Sequence, residues 1–187
     1  MGIHVVGMGG SLGRDSDCLH ALRLALNAAA SAGASTELLD VRELDLPLYL
    51  HGSPLSPGAI QLREAVARAD AMIWATPLYH GTVSGAVKNA IDYLETLAKH
   101  EPPYLTGRFV GLIATAGGYQ ALQAINTMEY CVRSLRGFTV PLVVPIDRGW
   151  QAFTAEGQAV EPRLQQQLAQ LGELVVQSAN RYRGSST

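Results

Sequence analysis

The chain has 187 residues, 48% of them apolar and 16% charged, with a net charge of −2. That is length enough for one domain with a sizeable core, and too apolar a composition for extended disorder. A near-neutral balance argues against a nucleic-acid surface, and no apolar run approaches the ~20 residues that span a bilayer.

The start, Met1-Gly-Ile-His-Val-Val, lacks the charged region of a signal peptide and reads as a first strand, so the cytoplasm is the expected compartment. Residues 3–8 form a short apolar run stopped by glycines, hence a central strand. Residues 16–32 carry Leu19, Leu22, Leu26 and Ala29 at helical spacing, and Gly33 ends that helix. A second strand is predicted over 35–41. Residues 42–58 are a long Leu/Pro-rich connection without a period. A short helix over 59–69 leads to a third strand over 71–75.

The next helix covers 83–99, with Ala86, Ala90, Tyr93 and Leu97 on one face and Ser84 placed to cap it. A proline-bearing turn over 100–107 precedes a fourth strand, 109–115, broken by Gly117-Gly118. A helix over 121–135, a fifth strand over 139–145, a mixed loop over 149–160 and a last helix over 161–182 complete the chain. Residues 184–187 are expected to fray. Cys18 and Cys131 both fall in predicted helices and read as small apolar side chains, not as a disulfide.

Five strands alternating with helices predict an α/β domain, a doubly wound parallel sheet with right-handed crossovers. Ligand loops after strands one, three and four suit the flavodoxin-like order 2-1-3-4-5, in which those loops line one crevice. The first loop, Gly7-Met-Gly-Gly-Ser-Leu-Gly-Arg-Asp-Ser16, meets a helix N-terminus, where unsatisfied N–H groups favour an anion. Ser11 and Ser16 can donate hydroxyl hydrogen bonds to a phosphate, and Arg14 can fork onto its oxygens. The plainer reading is a tight glycine turn with Ser16 as the helix cap.

The second loop, Thr76-Pro-Leu-Tyr-His-Gly-Thr-Val-Ser84, suits a flat aromatic ligand: Pro77 stiffens the strand exit, Tyr79 offers a ring, and Gly81 lets backbone approach. The third, Thr115-Ala-Gly-Gly-Tyr119, can turn N–H groups toward a ring edge where negative charge develops. Lys88, Asn89 and Asp92 read as fastening a loop or lying at a subunit contact.

A Rossmann dinucleotide site matches at Gly7 and Gly9, and Asp40 can stand for its ribose-binding acid, but Leu12 occupies the third glycine position. No Gly-Lys-Ser/Thr follows for a nucleotide P-loop, and no Gly-x-Ser-x-Gly elbow appears. The five histidines show no metal-ligand spacing.

Taken together, Gly10-Ser11…Ser16, Pro77-x-Tyr79-x-Gly81 with Ser84-Gly85-x-x-Lys88-Asn89-x-x-Asp92, and Gly117-Gly118 resemble the NAD(P)H-dependent FMN reductase family. Within it, the chain looks most like the flavin reductase components of two-component monooxygenases. The resemblance implies a flavodoxin-like FMN-binding domain over residues 1–183, non-covalent FMN, NAD(P)H as hydride donor, and a homodimer or homotetramer. It implies that Ser11 and Ser16 hold the FMN phosphate, with Cys18 close by. Pro77, Leu78, Tyr79, His80, Gly81 and Thr82 would run along the ring, and Thr115, Ala116, Gly117 and Gly118 would face its pyrimidine side. The family's arginine stands two places after the first serine, where this chain has Gly13 and then Arg14. Relatives often carry Glu at position 78 and Asn at position 80, where this chain has Leu78 and His80.

No protein acid or base is required, because the resemblance implies hydride transfer between two cofactors. Electrons would pass on to a partner flavin-dependent monooxygenase, or to a quinone, azo compound or chromate-type oxyanion. A non-enzymatic electron carrier is the reading from another class. The segment 44–58 and Tyr119 are candidates to shape the nicotinamide face, from the same or a neighbouring subunit; alternatively that segment folds back onto its own core.

Overall fold

The computed structural model describes residues 2–13 and 16–185. These form strands β1 (His4–Gly9), β2 (Ser35–Asp40), β3 (Ala71–Tyr79), β4 (Thr82–Val83), β5 (Phe109–Thr115) and β6 (Phe138–Ile146). The helices are α1 (Asp17–Ser31), α2 (Pro57–Arg68), α3 (Gly85–Asp92), α4 (Ala121–Ser134) and α5 (Pro162–Gly184). The main sheet is parallel with order β2-β1-β3-β5-β6, and β4 pairs antiparallel with β3 off that path. Leaving β4 aside, this is the expected 2-1-3-4-5 order.

Both faces of the central strands are covered, which is why β1, β3 and β5 read as continuous apolar runs. Val6, Met8, Met72, Trp74, Val110 and Leu112 pack toward α2, α3 and α4. Val5, Ile73, Ala75, Ile113, Val140 and Val144 pack toward α1 and α5 on the other side. At the carboxyl end the backbones come close: a Cβ on Gly9 would lie 2.1 Å from the Ala75 carbonyl oxygen, so β1 and β3 leave together toward one mouth.

Two elements differ from the sequence expectation. The third strand does not stop at residue 75 but continues through Pro77 to Tyr79, with Pro77 still in register opposite Thr115 of β5. The chain then reverses at His80-Gly81 and pairs Tyr79 with Thr82, a two-residue hairpin whose turn residues both take positive φ (49° and 88°). The helix expected over 83–99 is α-helical to Asp92 and tightens into a 3₁₀ turn over Tyr93–Leu97. Ser84 caps it as expected, its Oγ accepting the Val87 N–H at 3.3 Å.

The connection between β2 and α2 folds back onto its own core. Asn89 of α3 fastens it, its Oδ1 accepting the Tyr49 N–H at 2.8 Å and its Nδ2 donating to the Pro47 carbonyl at 2.8 Å. The Tyr93 hydroxyl donates to the same carbonyl at 3.1 Å, and Leu46, Tyr49 and Leu55 pack against the core. Lys88 and Asp92 pair along the exposed side of α3 at 2.6 Å. Among the described residues no helix is long and apolar enough to cross a membrane.

Candidate active site

Three turns meet at the carboxyl end of the sheet. In the first, Ser16 has extended backbone and caps α1, its Oγ accepting the Leu19 N–H at 3.3 Å. Its hydroxyl hydrogen is left to donate outward. Ser16 is buried and Ser11 half-buried, so both hydroxyls stand at the wall of a cleft and not on open surface.

In the second turn, buried Thr76 fixes the base of the hairpin. Its Oγ1 donates to the Pro77 carbonyl at 3.0 Å and accepts the Ser84 N–H at 3.1 Å, which ties the strand exit to the start of α3. The tip leans on α4 through a Thr82–Thr127 hydroxyl bond of 3.1 Å.

In the third turn, two of the carbonyls are taken. The Gly149 N–H donates to Ala116 at 2.9 Å and the Arg148 N–H to Gly118 at 3.2 Å, while the Ala116 N–H reaches Ile146 at 2.9 Å. Among the described residues no acceptor takes the N–H of Gly117 or Gly118, so the loop has these two donors to offer. Asp147 sets the loop's far end by accepting the Ala121 N–H at 3.2 Å, the side-chain cap that Gln120 does not supply to α4.

These turns enclose a cleft of about 230 Å³. From the first it takes Ser11, Ser16 and Cys18; from the second Pro77, Leu78 and Tyr79; from the third Thr115, Ala116 and Gly117. His80, Gly81 and Thr82 stand apart at the hairpin tip, and Gly118 lies beyond the rim. Arg14 lies outside the described residues.

Asp17, Gly149 and Trp150 also line the cleft, and the sequence reading did not include them. Gly149 and Trp150 follow β6, and the signal that could have found them is that every parallel strand delivers its next loop to the same end. Gly149 is pressed against α1: a Cβ there would meet Asp17 Oδ2 at 3.2 Å and Thr115 Cβ at 3.3 Å.

Burial raises the Asp17 carboxyl above its ordinary value, with nearby His20 opposing. Burial pushes the Cys18 thiol up to about 12, so it is a packed thiol and not a nucleophile. Cys18 and Cys131 are both free, as expected. Among the described residues no group of three or more His, Cys, Asp or Glu could hold a metal ion.

The cleft therefore combines hydroxyl donors at a helix N-terminus, a Pro-Leu-Tyr wall, and a glycine corner with free N–H groups. That donor set fits a phosphate at one end and a planar, acceptor-rich ring at the other.

Comparison with known proteins gives the same direction. Residues 3–151 match the family model for NADPH-dependent FMN reductase. The NADPH-dependent FMN reductase ArsH of Shigella flexneri is 30% identical over 141 residues, 73% of this chain and 54% of that protein. An FMN-dependent NADPH-azoreductase of Staphylococcus aureus is 39% identical over 80 residues, 43% of this chain and 39% of that protein. The matched stretch thus spans about half or less of these curated relatives. Among solved structures, the flavoenzyme NAD(P)H:(acceptor) oxidoreductase FerB of Paracoccus denitrificans superposes with a TM-score of 0.76 at 23% identity, covering 96% of this chain and 98% of that one. At that identity the likeness establishes the shared fold.

Proposed function

This chain belongs to the NADPH-dependent FMN reductase family, and from that membership and the cleft's chemistry we propose that it is an NAD(P)H:flavin oxidoreductase. The observation that carries the reading is the convergence of Ser11 and Ser16, Pro77 to Tyr79, and Thr115 to Gly117 on one cleft at the carboxyl end of the sheet. Those positions are the ones the family resemblance assigns to FMN.

Ser11 and Ser16 would hold the flavin phosphate by donated O–H bonds, aided by the positive end of α1. Arg14, from the same loop, is proposed as a further phosphate contact. Tyr79 and Pro77 would flank the ring, and the N–H groups of Gly117 and Gly118 would point at its pyrimidine edge. Bound FMN supplies the redox chemistry, taking a hydride from the nicotinamide of NAD(P)H. What the protein's residues do is orient the ring and place donors where charge grows, so no side-chain acid or base is needed.

At about 230 Å³ the cleft is smaller than the ~300–1,000 Å³ of sites that enclose a drug-sized ligand. It would hold the phosphate and inner ring and leave the outer ring accessible, with Tyr79 half-exposed at its edge. An accessible ring suits transfer onward, either to a small acceptor or, by release of reduced flavin, to a partner flavin-dependent monooxygenase. Exposed Tyr79, Leu122 and Tyr130 on the hairpin and α4 side support a homo-oligomer with that face covered.

The test is a spectral titration of the purified chain with FMN, followed by anaerobic addition of NADPH or NADH. Perturbation of the flavin bands and their bleaching by reduced coenzyme is the expected result. No FMN binding and no bleaching would remove the proposal.

A further inference from the structure

The turn that follows β6 forms the fourth wall of the proposed flavin cleft, and it carries an indole there. Among the described residues that line this cleft, two side chains are large, aromatic and exposed: Tyr79 at 54% and Trp150 at 65%. Tyr79 ends β3, and Trp150 sits in the 3₁₀ turn Gly149–Gln151. A single exposed aromatic is ordinary on a protein surface. Two that line one cleft, from loops remote along the chain, offer a flat ligand aromatic surface to pack on.

The indole stands on a fixed mount. Gly149 before it is buried, and a Cβ there would lie 3.2 Å from Asp17 Oδ2 and 3.3 Å from Thr115 Cβ. The Gly149 N–H donates to the Ala116 carbonyl at 2.9 Å, and its own carbonyl accepts the Ala152 N–H at 2.9 Å. The Arg148 N–H donates to the Gly118 carbonyl at 3.2 Å, and its carbonyl accepts the Gln151 N–H at 2.9 Å. Arg148 holds a left-handed backbone (φ 50°), with its guanidinium over the Tyr119 ring at 5.3 Å from the centroid. Trp150 therefore rides on a closed turn tied twice to the glycine corner. A turn already held in this way has little order left to gain when a ligand packs on its side chain.

At about 230 Å³ the cleft is too small to enclose a tricyclic ring, so the remaining contact has to come from side chains at its rim. The chain's other tryptophan, Trp74, is fully buried in the core and does not line the cleft.

We propose that Trp150 is a flavin-ring contact: its indole packs on the isoalloxazine and gives the chain a grip on the ring that does not depend on the phosphate, so that flavins without a phosphate monoester are also accepted. The inference rests on the flavin reading of this cleft. Ser11 and Ser16 would read the phosphate. Trp150 carries no charge and reads the ring alone, so it contributes equally to FMN, to riboflavin and to lumiflavin, which has the ring without the ribityl chain.

The experiment measures the affinity of wild type, Trp150→Phe and Trp150→Leu for FMN, riboflavin and lumiflavin by fluorescence titration, and the emission of flavin bound at saturation. Trp150→Leu is expected to weaken all three flavins by one common factor of roughly tenfold, and Trp150→Phe to recover most of the loss. Bound flavin should be brighter in Trp150→Leu than in wild type, because a stacked indole quenches it. In wild type, lumiflavin should also shield the exposed tryptophan from acrylamide, a measurement that needs no variant. FMN binding to wild type without lumiflavin binding, a loss in Trp150→Leu confined to FMN, or unchanged lumiflavin affinity in that variant would overturn the inference. Failure of wild type to bind FMN would instead strike the flavin reading of the cleft, so the two failures are told apart.

Discussion

Replacing Asp17 by Asn removes a negative charge from the wall of the proposed flavin cleft and leaves the side chain's shape unchanged. Asp17 Oδ2 stands 3.2 Å from the place a Cβ on Gly149 would occupy, beside Thr115. Burial raises its carboxyl, and the opposing influence is His20 from the next turn of α1. A phosphate held by Ser11 and Ser16 would add roughly two negative charges, and a separation of roughly 7 Å from that carboxylate is assumed for the arithmetic. With an effective dielectric of ~40–80 the repulsion is about 1–2 kcal/mol, or roughly five- to thirtyfold in Kd.

Fluorescence titration at low salt should therefore show Asp17→Asn binding FMN more tightly by about that factor. Riboflavin, which lacks the phosphate, should change by less than about twofold, and added salt should narrow the FMN difference. The pH dependence has a definite sign. A carboxyl raised above its ordinary value becomes neutral as pH falls through that raised value, so the wild type loses the repulsion there and the gap to the variant closes. If Asp17→Asn weakens FMN, or shifts riboflavin equally, the carboxylate accepts a hydrogen bond from the ligand's ribityl chain and the phosphate has been misplaced.

Ser16→Ala removes both a helix cap and a proposed phosphate donor. Thermal denaturation should show a loss of about 1 kcal/mol without flavin, and FMN affinity should fall more than riboflavin affinity. Alkylation with iodoacetamide at pH 8 should label Cys131, which is half-buried, well before Cys18, whose thiol is buried and pushed up to about 12; equal rates would contradict the packing described for α1. His80→Gly relieves a left-handed backbone at the hairpin tip and should raise stability by several tenths to about 1 kcal/mol in urea unfolding; a loss would mean that the imidazole makes a contact worth more than the strain.

Much of the fold is legible in the residues because its causes are local. Apolar runs and helical periodicity place the strands and helices of the main sheet within a few residues. Ser16 and Ser84 announce their helices because capping involves only the next three residues. The residues proposed for the site lie in loops that follow strands one, three and four, and alternation of strand and helix alone brings those loops to one end of the sheet.

What sequence alone did not reach depends on partners distant along the chain. Pro77 argues locally against a continuing strand, yet β3 runs through it because β5 offers a partner opposite and the Thr76 hydroxyl donates to the Pro77 carbonyl while accepting the Ser84 N–H. Asn89 holds a connection some 40 residues earlier, so no local pattern predicts that the loop folds inward. The fourth wall of the proposed flavin cleft follows the same rule: Gly149 lines it with Asp17 of α1 packed against it. Propensity and capping act over one or two turns of chain, whereas a cleft is made where strands bring remote loops together, and only packing sets which side chains meet there.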